Sequence, residues 1–128
     1  MATRALARWK RECERWRHKL GLYDWTLTYT INDDLDVNQT GTYKAGAKTT
    51  YTPAYKMAEV EATKQCVTGG SIKEAACHEM AHLRLAEVDI FVGSLLRNIP
   101  KSARDMADDN WEEIKERTVT EWQKALMR

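Results

Sequence analysis

Five consecutive residues, His78-Glu79-Met80-Ala81-His82, constrain this chain more than any other stretch. On a helix, residues four apart lie one turn apart on the same face. Both imidazoles can therefore bind one Zn²⁺, while Glu79, next to His78, reaches the remaining coordination position. The flanking residues agree with a helix. Gly69-Gly70 ends the preceding segment, Ser71 is expected to cap the helix, and Glu74 completes a capping box three residues later. Ala75, Ala76, Met80, Ala81 and Leu83 favour its continuation to about Ala86. The chain has three histidines, and the one outside this motif, His18, is expected at the surface.

With 128 residues, the sequence predicts a single domain, 1–128, large enough for one core without disulfide staples. The 43% hydrophobic and 30% charged content is that of a soluble globular protein, and five Trp predict an aromatic core. A net charge of +1 argues against a globally polyanion-seeking protein. No apolar run is long enough to span a bilayer, and Arg4, Arg8, Lys10 and Arg11 break up any secretory apolar segment, so a cytoplasmic protein with no membrane contact is expected. Cys13, Cys66 and Cys77, odd in number and without C-x-x-C spacing, fit free thiols in a reducing compartment. Cys77 precedes His78, but neighbouring helical residues point about 100° apart, so it is read as a buried thiol.

In chain order, residues 2 to about 20 read as an amphipathic helix with Leu6, Trp9, Cys13, Trp16 and Leu20 on one stripe. Its other faces carry seven basic residues against Glu12 and Glu14, a solvated surface or a patch for nucleic acid. From Trp25 to Ile31, apolar residues alternate with Thr26, Thr28 and Thr30, which predicts a half-buried strand. A polar connection through Asn38 and Gly41 leads to one or two strands in 42–53, and residues 57–64 alternate again as a third short strand. Val88 to Leu96 reads as a buried connection or a short second helix. A final helix starts at Ser102 or at Asn110 and runs to about Leu126, with Trp111, Ile114, Val119, Trp122 and Leu126 as its apolar stripe.

Two histidines leave a catalytic zinc site incomplete, since such sites usually have three protein ligands and an open position. Val88 at the tenth position after His78 excludes the extended metzincin pattern, so the third ligand is expected to be a carboxylate. On the final helix, Glu112 lies about 90° from the centre of the apolar stripe while Glu113 points nearly opposite. Glu112 is therefore the better inward candidate. Glu116, one turn further, is placed to orient a histidine through its other ring N–H.

His78-Glu79-Met80-Ala81-His82-Leu83, followed by Glu112-Glu113-Ile114-Lys115-Glu116-Arg117, resembles the small zincin-type zinc metallopeptidase domains of the gluzincin kind, including SprT-like and phage-encoded members. The resemblance implies an α+β fold: an N-terminal helix, a small three-stranded sheet, the H-E-x-x-H helix and a C-terminal glutamate helix. It implies a hydrolase acting on a peptide or protein substrate, with His78, His82 and Glu112 as zinc ligands and Glu79 as catalytic base. Glu113 remains an alternative ligand. In zincins the last strand before the active helix lies beside the cleft, so residues 57–64 are expected to take substrate as an added strand. A second hypothesis is a nucleic-acid-binding or regulatory module with a structural or vestigial zinc site, using the basic N-terminal helix as its contact surface.

Overall fold

The computed structural model describes residues 2–35, 42–43 and 46–128. It is an α+β structure in which helices cover one face of a small mixed sheet. Helix α1 (Ala2–Lys19) is followed by strands β1 (Thr26–Ile31), β2 (Thr42–Tyr43), β3 (Ala47–Thr52) and β4 (Met57–Ala62). Helices α2 (Lys64–Thr68), α3 (Ile72–Arg84), α4 (Ala86–Leu96) and α5 (Lys101–Leu126) complete it. The strand order is β1-β4-β3-β2. The three expected strands are β1, β3 and β4, and the two-residue β2 adds an edge. The polar connection through Asn38 and Gly41 lies outside the described residues.

β1 pairs parallel with β4, Thr26 opposite Met57 and Ile31 opposite Ala62, while β3 pairs antiparallel with the other side of β4, Ala47 opposite Ala62. β4 is therefore an inner strand with both edges occupied. That overturns the expectation that residues 57–64 accept substrate as an added strand, and the strand ends at Ala62 because Thr63 turns the chain. Its hydroxyl accepts from the Cys66 amide at 3.1 Å and caps α2.

Alternation sorts the sheet's two faces. Ala58, Val60 and Ala62 of β4 are buried with Ala47 of β3, and Leu27, Tyr29 and Ile31 of β1 pack against them. The core closes with Trp9, Cys13 and Trp16 from α1 and Ala75, Ala76, Cys77, Met80 and Leu83 from α3. Trp9 is fully buried, and its indole N–H donates to the Val60 carbonyl at 3.1 Å, so its one polar atom is satisfied inside the core. The three cysteines are free and buried.

Three helical details differ from the sequence reading. Ser71 makes no capping hydrogen bond: α2 leads through Gly69-Gly70 directly into α3, leaving Ser71 at φ −106°, ψ 13°, outside the extended conformation that side-chain capping needs. Residues 86–96 form the short second helix, one of the two readings of that stretch, but it buries only Ala86. The last helix begins at Lys101 behind Pro100, whose fixed φ of −57° suits a helix entrance and whose missing N–H costs nothing there. It buries Val119 and Gln123, leaving Ile114, Trp122 and Leu126 exposed.

Candidate metal centre

α3 is buried almost throughout, so the motif reaches the cleft from inside the core rather than from a surface helix. The rings of His78 and His82 lie 5.0 Å apart, as the one-turn spacing requires. α5 crosses α3 and brings one carboxylate to both histidines. Glu116 Oε2 lies 3.2 Å from His78 Nε2, and Glu116 Oε1 lies 2.9 Å from His82 Nε2. Ligand atoms from these three side chains all fall within 4.8 Å of one another, and among the described residues no other group of His, Cys, Asp or Glu converges in this way.

Gln123, two turns beyond Glu116 on the same face of α5, has its Oε1 3.1 Å from His78 Nδ1. With Nδ1–H donating there, the His78 Nε2 lone pair faces Glu116, the tautomer a metal ligand needs. The His82 pair is more telling. Although Nε2 and Oε1 are only 2.9 Å apart, neither atom has a hydrogen-bond partner, so the two do not point at each other. At metal–ligand distances of about 2.0–2.2 Å, two ligand atoms of a tetrahedral ion lie roughly 3.3 Å apart. The observed spacings are close to that separation.

Glu79 is fully buried. Its Oε1 accepts from the Thr49 hydroxyl at 2.8 Å, and its Oε2 has no partner. Burial raises its pKa above the ordinary carboxylate range, against the partial opposition of the two histidines. Glu116 behaves oppositely: burial disfavours its charge, but the imidazoles outweigh it and hold the carboxyl well below its usual range. For His78, burial opposes the charged form, yet the Glu116 carboxylate raises its pKa.

The expected ligand Glu112 lies elsewhere in the cleft: its Oε1 accepts from Lys115 Nζ at 2.9 Å. Glu113 is exposed. Glu116 and Glu112 are one turn apart on nearly the same face, and it is Glu116 that α5 places against the two histidines. The cleft itself, about 380 Å³, lies between Lys48–Tyr51 of β3, His82, Asp89 of α4 and Glu112, Lys115 and Glu116 of α5. Gln123, Thr49 and Asp89 had no role in the sequence reading. Gln123 was findable, because it lies seven residues after Glu116 and so returns to the same helix face. Thr49 and Asp89 are joined to the site only through the tertiary fold.

No protein-family model matches the chain, and neither a curated protein nor a solved structure is similar to it. What the site can do is therefore read from its own residues.

Proposed function

We propose that this chain is a zinc-dependent peptide hydrolase with a zincin-like site, in which His78, His82 and Glu116 hold the ion and Glu79 is the general base. The observation that carries the reading is the convergence of two imidazoles and a carboxylate at the cleft, with His82 Nε2, Glu116 Oε1 and Glu79 Oε2 all buried and without hydrogen-bond partners. Buried polar atoms are almost always satisfied, so a buried His82–Glu116 contact at 2.9 Å that lacks hydrogen-bond geometry favours a missing cation. Two histidines and a glutamate are also a donor set of catalytic zinc.

When bound, zinc supplies Lewis-acid activation of water and of a carbonyl. Glu79 would take the proton of the attacking water and return it to the leaving amine. A pKa raised by burial suits that exchange, because a strongly acidic carboxylate would release the proton poorly near neutral pH. Thr49 fixes one Glu79 oxygen and leaves the other for the proton. Gln123 orients His78. The peptide would lie in the cleft against Lys48–Tyr51, and free buried thiols suit a cytoplasmic setting.

Metal analysis tests the assignment directly. Protein purified without added metal should carry about one zinc. His82→Ala and Glu116→Ala should lose it, whereas Glu112→Ala should keep it. Loss with Glu112→Ala and retention with Glu116→Ala would reverse the ligand assignment.

A second reading, nucleic-acid contact through α1, has its own observation. Arg4, Arg8 and Lys64 border an apolar hollow of about 160 Å³, and none of their side chains forms an ion pair with a carboxylate among the described residues. Arg17 is not part of that surface, since its guanidinium donates to the carbonyls of Leu22, Tyr23 and Trp25 and ties α1 to the segment leading into β1. Charge reversal at Arg4, Arg8 and Arg11 should abolish salt-dependent binding to duplex DNA if this surface is used. Unchanged binding would exclude α1 as the contact.

A further inference from the structure

Beside the histidine–carboxylate cluster, the cleft holds four polar side chains to which the proposed reaction gives no role: Tyr51 from β3, Asp89 from α4, and Glu112 and Lys115 from α5. Asp89 is their hub. Its Oδ1 accepts from Trp111 Nε1 at 2.6 Å and lies 3.4 Å from Lys115 Nζ, and its Oδ2 accepts from the Tyr51 hydroxyl. Lys115 also donates to Glu112 at 2.9 Å.

The two carboxylates on this ammonium differ in kind. Asp89 is anchored by donors from two other side chains and is largely sheltered, its side chain 19% exposed. Glu112 is 40% exposed and is held by Lys115 alone. The Lys115 side chain is only 11% exposed, so most of the water that would otherwise surround its ammonium is excluded. A charge sheltered in that way needs partners, and it interacts more strongly with any anion that enters. An ammonium has three N–H donors, and Asp89 and Glu112 engage two.

We propose that Lys115 is the residue that receives the substrate's carbonyl oxygen as negative charge develops on it, exchanging Glu112 for that oxygen while Asp89 keeps the ammonium in place. The assignment rests on the peptide-hydrolase reading. Lys115 gives up no proton in this role; it donates a hydrogen bond from a fixed position in the cavity that Glu116 and His82 also line. Donors fixed in advance and shielded from water stabilise an oxyanion without reorganising during the reaction. A purely structural ion pair between α5 and α4 would use the same atoms, but its charge would not answer to an anion in the cleft.

The test uses the whole chain with cobalt in place of zinc. The visible absorption of Co²⁺ reports metal occupancy, and its change on adding inorganic phosphate, a tetrahedral oxyanion, reports anion binding. Lys115→Met should hold cobalt as tightly as wild type but bind phosphate about tenfold or more weakly, the loss expected for one charge-assisted hydrogen bond. Lys115→Arg should retain most of the affinity, and Glu112→Gln should bind phosphate more tightly because the competing carboxylate has gone. Unchanged phosphate affinity in Lys115→Met with cobalt bound would overturn the proposal and leave the metal site standing. Failure of wild type to bind cobalt would overturn the metal reading and this proposal with it. Should Lys115→Met fail to fold, Glu112→Gln decides: affinity that is unchanged or weaker rejects the exchange.

Discussion

At the residue scale, one uncharged side chain governs the chemistry of an imidazole. Gln123 is buried in α5, and its Oε1 sits on His78 Nδ1. Gln123→Ala should raise the metal dissociation constant by about 10–100-fold, the usual cost of losing a group that orients a ligating histidine. Competition with a chromophoric chelator measures this, and an unchanged constant would remove Gln123 from the site. Glu79→Gln separates binding from chemistry. It should keep its zinc while peptide hydrolysis falls by roughly 10²–10⁴-fold, the contribution typical of a positioned general base. Residual activity equal to wild type would show that another group moves the proton. These two residues differ in legibility: Glu79 is named by the motif itself, whereas Gln123 acquires meaning only once α5 lies across α3.

At the scale of elements, α5 is the piece that makes or unmakes the site. Hydropathy marks Trp111, Ile114, Val119, Trp122 and Leu126 as its stripe, but the face docked on α3 is Glu116, Val119 and Gln123. Val119 is the apolar contact that holds this face, buried with Ala81 and Leu85. Val119→Ala should cost about 1–3 kcal/mol, from lost burial and the cavity left behind. It should weaken metal binding as well, because the carboxylate reaches the histidines only while α5 is seated. A chemical denaturation curve and a metal titration on the same variant check both. The turn into β3 offers an independent case. Gly46 has φ +89°, and a Cβ there would meet the Thr63 hydroxyl oxygen at 2.6 Å. Gly46→Ala should therefore destabilise the protein by about 1–3 kcal/mol without changing the metal ligands.

For the whole molecule, two titrations couple stability to pH. Burial opposes the charge of Asp89, but hydrogen bonds from Tyr51 and Trp111 together with Lys115 outweigh it and lower its pKa below the ordinary 3.8. Asp89 then contributes stability above its unfolded pKa that is lost as pH falls through the folded value. Burial raises the Cys66 thiol from 9.0 to about 11. Its contribution is present below pH 9 and is lost as pH rises through the folded value, because the unfolded thiol ionises first. In metal-free protein the Asp89 contribution should be lost at the acid end and the Cys66 contribution above pH 9, and denaturant midpoints across pH show both losses. Adding zinc should raise the thermal midpoint, by an amount set by about 4 kcal/mol at a thousandfold excess over the dissociation constant. A midpoint that does not move with zinc would mean that the folded chain has no preference for it.

Local periodicity by itself determined the helix that carries His78 and His82 one turn apart with Glu79 beside the first, the alternation that sorts β1 and β4 into inner and outer faces, and the amphipathic α1. These follow from geometry repeated every few residues, and neighbours along the chain are enough to specify it. The tertiary structure alone decided that β4 is enclosed between β1 and β3, that the cleft borders β3, and that Glu116 rather than Glu112 meets the histidines. Glu112 and Glu116 share a face, and choosing between them depends on how far α5 slides along α3. That distance is set by Val119 against Ala81 and Leu85 and by the 26-residue length of the helix behind Pro100, contacts made across the fold and invisible to any local window.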